Sequence, residues 1–556
     1  MLITRPTRRW RLAAVVVAAA AALGVAGCGG GEDSTGSEPG NVASFIPATA
    51  PVYAEFSTDL EGPQWTLLKA LLAKFPDIPN VDTALREGLS AEGVNWDTDV
   101  KPLLGKSAAI GLLKLPKTDA LASIPVPGGT TSLPTPSVPD VQDQSLILAV
   151  EVAEGQEQKV TDLITKDAAP SGKVGDVQYY VPKGETQPLI AVTDGAVLIA
   201  SKEADLTAGI EAHNGGADRT IAGTTKVTDT LTKLPAEVFA QAYLDVGSII
   251  KQAASGNAQL QQVYTQLGLG ADTAIGFSIS AEAKGIRLKG VTTGANTDIL
   301  AGSTSFTPAL TQNVPGDSVA YVGIADLTGQ AERTLDAIAK SNPDLTKQLD
   351  AVTGQLPLLL GGVGLDDLKA LGRGEVAVVV TKGKGFPAVS ALLQVPDGAQ
   401  AQKVFDGLAK AAPLLAAQAG SLGAGVGSFK PVEEGGIAGS ELEISEQADL
   451  VYGVKDNLAV IGSQRSSLGL LASPVTNLAQ DPEFTAATAG VPDKVTALLW
   501  LDVPGLVEMV EGLDAGATST DEAKKAIANL GSLKSLVAWG SVEDGTPTVE
   551  AFLTIE

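Results

Sequence analysis

The stretch Val192-Thr-Asp-Gly-Ala-Val-Leu-Ile-Ala-Ser201 occurs in two variants in this chain of 556 residues. The second variant is Val454-Lys-Asp-Asn-Leu-Ala-Val-Ile-Gly-Ser463, and the two align without a gap. In each, an Asp-Gly or Asp-Asn pair interrupts a run of apolar residues, which is typical of a tight turn between antiparallel strands. The pattern therefore predicts a β-hairpin at both places.

Further segments repeat in the same order along the chain. Pro235-Ala-Glu-Val-Phe-Ala-Gln-Ala-Tyr-Leu-Asp-Val246 matches Pro492-Asp-Lys-Val-Thr-Ala-Leu-Leu-Trp-Leu-Asp-Val503 without a gap. Pro47 with Tyr53 likewise matches Pro315 with Tyr321. Matched segments in a fixed order indicate repeated structural units. We therefore predict two tandem homologous copies, at 41–300 and 302–556.

Short strands with helices between them are predicted in each copy. In the first copy, period-two runs predict strands at 52–57, 107–113, 145–152, 177–181, 189–193, 196–200 and 238–245, and a hairpin at 273–292. Helical periods fall at 65–74, 81–88, 157–166, 204–212 and 249–267. Because short turns join neighbouring strands, we expect mostly antiparallel sheet with interspersed helices, an α+β fold.

The composition limits the classes of partner. The chain has 39 Lys and Arg against 64 Asp and Glu, a formal net charge of −25. Such a charge repels nucleic acid phosphates, so nucleic acid is excluded as a partner. With one cysteine and one histidine, the chain has no intrachain disulfide and no histidine-rich zinc site. We expect no cofactor and no metal.

The N-terminus predicts an exported, lipid-anchored protein. Four arginines precede an apolar run at 12–26, which is shorter than the roughly 18–20 residues of a membrane-spanning helix. The run ends at Val25-Ala-Gly-Cys28, which resembles the lipobox of bacterial lipoproteins. In that family the cysteine thiol is acylated and the chain is cut before it. We therefore predict a signal peptide at 1–27, lipidation of Cys28 and a flexible tether at 28–40.

A proline-rich segment at 116–144 distinguishes the first copy from the second. It contains six prolines among Gly, Ser and Thr, whereas the second copy crosses the same junction with Lys382-Gly-Lys-Gly385. Proline removes backbone donors and fixes φ, so neither a helix nor a central strand runs through such a segment. We expect an extended loop, either a surface insertion or a partner-binding arm.

The residues that tempt a catalytic interpretation have structural explanations. His213 lies before Asn214 and Gly215, which predicts the last turn of a helix. Asp59, Asp245, Asp326 and Asp502 each end a predicted strand shortly before a glycine, which predicts helix N-caps or turns. The alternative for these aspartates is a divalent cation site. Gly105-Lys-Ser107 lacks the remaining P-loop glycine, and Ser248 with Lys251 lacks the other β-lactam-binding motifs. We assign no catalytic residue.

The lipobox, the four Pro…aromatic…Asp openings and the repeated Val-x-Asp-[Gly/Asn]…Ile-x-Ser element together resemble the actinobacterial lipoprotein family known as domain of unknown function 3352. The resemblance covers nearly the whole chain beyond residue 27. It implies a location outside the cytoplasm, at the cell membrane, and implies no known activity, cofactor or catalytic residue.

Three functions stay open at this point. The first is a non-enzymatic envelope lipoprotein that binds an envelope protein or a small ligand. The second is a hydrolase that uses carboxylates, and the third is the substrate-binding lipoprotein of a transporter. A deep cleft with convergent acids favours the hydrolase, and an apolar surface favours binding.

Substituting the lipidated residue tests the anchor. We expect Cys28→Ser to move the protein from the membrane fraction to the soluble fraction of the cell envelope, because the acyl chains supply the membrane affinity. Cell fractionation with immunoblotting measures the distribution, and Ser34→Ala in the tether is the control. Unchanged membrane association of Cys28→Ser contradicts the lipoprotein prediction.

Overall fold

Tight turns join neighbouring strands, including the turn that the sequence predicts at Asp194 and Gly195. At Asp194 and Gly195 the backbone φ angles are 45° and 75°. This pair of left-handed residues gives the twist that a two-residue hairpin turn requires. Asp544 and Gly545 form a second such turn, with φ angles of 47° and 75°. Turns of this kind fix the register of the strands that they connect.

The computed structural model describes residues 41–76, 78, 80–90, 94–115, 145–184, 188–253, 269–294, 304–341, 353–354, 356–383, 386–419, 428–445, 448–472, 474–513 and 521–556. The predicted signal peptide, Cys28, the tether and the proline-rich segment lie outside these residues. The chain divides into unit 1, which comprises residues 1–264 and 269–295, and unit 2, which comprises residues 265–268 and 296–556. No helix among the described residues is long and apolar enough to cross a membrane.

Unit 1 alternates strands with short helices. Its strands are β1 (Val52–Ser57), β2 (Leu104–Lys114), β3 (Ser145–Val152), β4 (Ala168–Val174), β5 (Val177–Pro182), β6 (Leu189–Thr193), β7 (Ala196–Ala200), β8 (Ala240–Leu244), β9 (Ala274–Glu282) and β10 (Gly285–Thr293). Its α-helices are α1 (Pro63–Leu72), α2 (Val81–Ser90), α3 (Glu157–Asp167), α4 (Glu203–Asn214), α5 (Thr225–Leu231) and α6 (Val246–Ala253).

Unit 2 is built in the same way. Its strands are β11 (Ala320–Ala325), β12 (Glu375–Thr381), β13 (Ala388–Gln394), β14 (Lys430–Glu434), β15 (Ile437–Ser445), β16 (Ala448–Lys455), β17 (Leu458–Gly462), β18 (Ala497–Asp502), β19 (Leu533–Glu543) and β20 (Thr546–Ile555). Its α-helices are α7 (Leu327–Ser341), α8 (Leu356–Leu359), α9 (Leu365–Leu371), α10 (Gly398–Ala419), α11 (Pro482–Ala487), α12 (Val503–Leu513) and α13 (Asp521–Leu530).

Strand order is the same in the two units. In unit 1 the antiparallel order is β4-β5-β6-β7-β3-β2-β1-β8-β9-β10. In unit 2 it is β14-β15-β16-β17-β13-β12-β11-β18-β19-β20. Antiparallel sheet with interspersed helices confirms the predicted α+β fold. Common descent of the two halves from one ancestral copy stays a prediction.

Isolated β-bridges recur at the entrance to each unit. Pro47 bridges Thr220, and Pro315 bridges Asn477. Beside the first bridge, the Ile221 amide donates to the Ile46 carbonyl over 2.8 Å. Beside the second bridge, the Leu478 amide donates to the Val314 carbonyl, also over 2.8 Å. The prolines that the sequence comparison matched therefore hold equivalent places in the backbone.

One face of each sheet carries the main core. In unit 1 the strands pack against α4, α5 and a 3-10 helix at Asn41–Phe45, around the fully buried Tyr53, Ile147 and Leu198. In unit 2 the corresponding cluster surrounds Tyr321 and Trp500. Apolar side chains at alternate positions of each strand supply this face, because successive residues of a strand point to opposite sides.

Each core also holds a tyrosine that donates to a buried glutamate. The Tyr53 hydroxyl donates to Glu55 Oε2 over 2.6 Å, and Gln241 Nε2 donates to the same oxygen over 3.0 Å. Burial raises the pKa of Tyr53 well above its usual range, and the charge of Glu55 raises it further. A buried polar group of this kind is tolerated because it is hydrogen-bonded.

The carboxylate of unit 2 comes from a different strand. Tyr321 Oη donates to Glu375 Oε1 over 2.8 Å, and the amides of Ala309 and Leu310 donate to Glu375 Oε2 over 2.8 and 3.1 Å. A Cβ atom at Gly323 would lie 2.5 Å from Tyr321 Oη, so glycine leaves room for the hydroxyl. Burial raises the pKa of Glu375 above 4.5, although these hydrogen bonds oppose the rise.

The raised pKa gives Glu375 a testable effect on stability. Because its folded-state pKa lies above the unfolded value of 4.5, its stabilising contribution is complete below pH 4.5. That contribution is lost as the pH rises through the folded-state pKa. We therefore expect wild type to lose stability relative to Glu375→Gln as the pH rises above 4.5. Urea unfolding across pH measures the difference, with Glu433→Gln on the exposed strand β14 as the control. A pH-independent difference contradicts the prediction.

Candidate functional site

An apolar pocket lies beneath α3, on the face of the unit 1 sheet that is opposite the main core. Its volume is about 60 Å³. One water-sized occupant needs roughly 10–15 Å³, so this pocket accommodates several methyl-sized groups. Apart from Asp99 and Glu151 its lining is aliphatic: Val100, Leu103, Leu104, Val150, Val152, Val160, Leu163, Ile164, Ile190, Val197 and Ile199. A cavity with such walls stays dry and favours an apolar occupant.

The strand β7 and the helix α3 build the pocket through their side-chain periods. All residues of β7 are buried, with Leu198 in the main core and its neighbours Val197 and Ile199 on the pocket side. On α3, Val160 and Ile164 are four residues apart and share the face that covers the sheet. The sheet at β7 is therefore covered on both faces, by the main core on one side and by α3 on the other. The pocket is the space that remains between α3 and the sheet.

Unit 2 fills the corresponding face with aromatic rings. There, beneath α10, Tyr452 packs against Phe405 and Phe429 with ring centroids 5.4 and 5.2 Å apart. Extending the gap-free alignment of the repeated stretches places Ile190 at the position of Tyr452. An isoleucine fills less space than a tyrosine, and Ile190 lines the pocket. The smaller side chain accounts for part of the open volume.

A wider opening of about 460 Å³, here called the mouth, adjoins the pocket and shares Leu104, Glu151 and Val152 with it. Lys101 Nζ lies 2.6 Å from Glu61 Oε1, and this pairing holds the pKa of Glu61 below 4.5. Glu151 Oε2 accepts from the amides of Lys106 and Ser107 over 2.9 and 3.0 Å. Charged groups therefore surround the entrance of an otherwise apolar site.

Sequence patterns do not single out the pocket residues, because aliphatic side chains at helical and strand spacing look like ordinary core. The signal that was available is the pairing of Ile190 with Tyr452 in the aligned copies. A large residue in one copy and a small one in the other marks a place where packing differs.

The recurring aspartates serve mostly as helix caps, as predicted. Asp245 Oδ1 accepts from the Ser248 amide over 2.9 Å, and Asp326 Oδ1 accepts from the Gly329 amide over 2.9 Å. Asp502 accepts from the Gly505 amide. At Asp59 the backbone carbonyl accepts from the Gly62 amide over 2.8 Å, which is a turn. Among the described residues, no three His, Cys, Asp or Glu side chains are grouped to hold a metal ion.

His213 lies between a serine and an aspartate. Its ring is in the last turn of α4, as predicted, stacked on Phe45 with centroids 4.0 Å apart. His213 Nδ1 is 2.8 Å from Ser44 Oγ, and Nε2 is 3.7 Å from Asp194 Oδ2. The Ser44 hydroxyl also donates to the Asn41 carbonyl over 2.7 Å. The Asn41 carbonyl and His213 Nδ1 therefore compete for the hydroxyl proton of Ser44.

Antiparallel sheets with interspersed helices, and an apolar pocket beside a charged mouth in unit 1, define an α+β protein with a candidate binding site. The chain belongs to the family described as "Protein of unknown function (DUF3352)", whose family model matches residues 11–554. The predicted family is thereby confirmed, and the actinobacterial lipoprotein character stays a prediction.

Two crystal forms of a protein called TP0453 resemble part of this chain. Form III has a TM-score of 0.23 at 7% identity, with 46% of this chain and 81% of that chain covered. Form I has a TM-score of 0.23 at 8% identity, with 46% and 80% covered. Likeness at this level carries no argument about fold or function. No curated protein matches the chain.

Replacing the histidine tests the structural interpretation of Ser44, His213 and Asp194. We expect His213→Ala to lose about 1 kcal/mol of unfolding free energy, through the ring stacking and the helix-end contact. We also expect no reaction of Ser44 with a fluorophosphonate probe in either protein. Thermal unfolding and mass spectrometry of the labelled protein measure the two effects. Labelling of Ser44 that disappears in His213→Ala contradicts the structural role and supports a hydrolase.

Proposed function

We propose that this protein is a lipid-anchored lipoprotein outside the cytoplasm that binds the apolar part of a small ligand, without catalysis, in the pocket beneath α3. The observation that carries the binding function is the aliphatic lining of that pocket. Convergent polar groups are what a catalytic cleft needs, and the interior of this pocket offers alkyl groups.

The energetics favour an alkyl occupant. Each methylene group that moves from water into an apolar environment gains about 0.8 kcal/mol. Aliphatic walls offer water no hydrogen-bond partner, so an alkyl group that enters between them displaces no strongly held water. A ligand that places a few methylene groups against Val160, Ile164 and Val197 therefore gains affinity without a strong polar contact.

The carboxylates Glu151 and Glu61, which line the mouth, support binding over hydrolysis. Glu151 is held by two backbone amides and by the Ser107 hydroxyl at 3.2 Å, and Glu61 is paired with Lys101. A general acid needs a raised pKa, and the pKa of Glu61 is lowered. The acids at the entrance are therefore suited to orienting a ligand.

The predicted anchor agrees with such a ligand. Acylation of Cys28 and a tether at 28–40 keep the folded units close to a membrane, where molecules with alkyl chains are concentrated. A Gly- and Ser-containing tether behaves as a flexible coil, so the pocket samples the space near the surface. Binding at this location requires no membrane-spanning helix.

Filling the pocket tests the proposed function. Leu163 is half-buried on α3 and lines the pocket. We expect Leu163→Trp to weaken octanol binding about tenfold, because the larger ring excludes roughly two methylene groups of the ligand at about 0.8 kcal/mol each. Titration calorimetry measures the affinity. The matched control is Thr165→Trp, which puts the same ring on an exposed position of α3 and leaves binding unchanged.

Two results would overturn this function. One is the absence of octanol binding to wild type, and the other is equal weakening by both tryptophan variants. Thermal unfolding of the two variants separates a blocked pocket from a misfolded one, because overpacking lowers stability by about 1–3 kcal/mol where the side chain does not fit.

A further inference from the structure

We infer that the ligand of the pocket is a single-chain amphiphile with a cationic headgroup, whose alkyl chain enters beneath α3 and whose head lies in the mouth. The inference rests on the proposed function and adds the charge class of the ligand. It follows from two features of unit 1, the residues that the pocket and the mouth share and the balance of charges around the mouth.

The pocket and the mouth are neighbouring spaces. Leu104, Glu151 and Val152 line both of them, so an alkyl chain held in the apolar part places its head next to the charged side chains of the mouth. The apolar part is about 60 Å³ and the mouth about 460 Å³, so the site has a narrow alkyl end and a wide polar end. Those are the proportions of an amphiphile with one chain and a hydrated head.

Acidic groups outnumber basic groups at the wide end. The lining of the mouth includes the carboxylates of Asp59, Glu61, Glu151 and Glu154, against the ammonium groups of Lys101 and Lys106. Lys101 neutralises Glu61 over 2.6 Å, which leaves Lys106 facing the other acids. The excess negative charge attracts a cationic head and repels an anionic one.

Two acids of this region, Glu61 and Asp99, have lowered pKa values. Lys101 holds the pKa of Glu61 below 4.5. Asp99, on the pocket wall, accepts from the Asn95 amide and the Thr98 hydroxyl, and these bonds together with the nearby Lys166 lower its pKa. Lys166 also offsets the charge of Asp99, so the uncompensated acids lie in the mouth and beside the headgroup.

A series of ligands with one chain and three charges tests the inference on the full chain. Octylamine, octanol and octanoate at neutral pH share the alkyl group and differ in the head. We expect octylamine to bind more tightly than octanol, and octanol more tightly than octanoate. The dissociation constants of octylamine and octanoate should differ at least about fivefold, and this difference should become smaller at high salt. Titration calorimetry measures the three affinities.

A pair of charge-matched variants locates the effect. Asp59→Asn with Glu154→Gln removes two acids from the mouth, and we expect it to abolish most of the preference for octylamine. Glu211→Gln with Asp229→Asn removes two exposed acids from α4 and α5, which cover the opposite face of the sheet, and it keeps the preference. Both doubles have the same net charge, so a general effect of charge changes them equally.

The outcomes separate the two proposals. If octanol binds and octanoate binds as tightly as octylamine, the cationic headgroup is overturned while the apolar pocket keeps its function. Equal loss of preference in the two double variants overturns the role of the mouth. If none of the three ligands binds wild type, both the pocket function and the inference fail.

Discussion

The strand β7 must hide apolar side chains on both faces of the sheet, and much of unit 1 depends on that constraint. It pairs with β6 on one side and β3 on the other, so its backbone donors and acceptors are used within the sheet. Leu198 is buried in the main core, whereas Val197 and Ile199 point to the other face of the sheet and must be buried by another element. The helix α3 provides that cover, and the pocket exists because α3 does not fill it completely. Fold and candidate site are thus two results of one requirement, the burial of a continuous apolar run.

Sequence patterns predicted the parts of this structure that are determined locally. The hairpin at Asp194 and Gly195 and the cap at Asp245 follow from turn and capping preferences, which act over a few residues. Strand β4 was missed, because Pro170 and Gly172 are rare inside strands and interrupt the alternation. Its pairing with β5 contains a bulge between these two residues, which accommodates both.

Features that depend on packing between distant residues were not predictable in the same way. The pocket depends on the size of Ile190 relative to the space beneath α3, and a single sequence gives no measure of that space. The buried glutamates were missed because a charged residue in a strand normally indicates an exposed position. Glu55, which accepts from Tyr53, lies on β1, whereas Glu375, which accepts from Tyr321, lies on β12. Gly323, which has no side chain, leaves room for the Tyr321 hydroxyl. The hydrogen bond to tyrosine is therefore retained while the strand that supplies the carboxylate differs.

The prolines in β4 and β14 have a consequence for behaviour at high density. Each strand is paired with one neighbour within its unit, β4 with β5 and β14 with β15, and each contains a proline, Pro170 or Pro431. Proline lacks the amide hydrogen that an incoming strand would accept, so another chain cannot extend the ladder regularly there. At high local concentration, open strand edges of neighbouring molecules meet often and promote fibril growth. Pro170 and Pro431 therefore oppose edge-to-edge polymerisation of the units at high density.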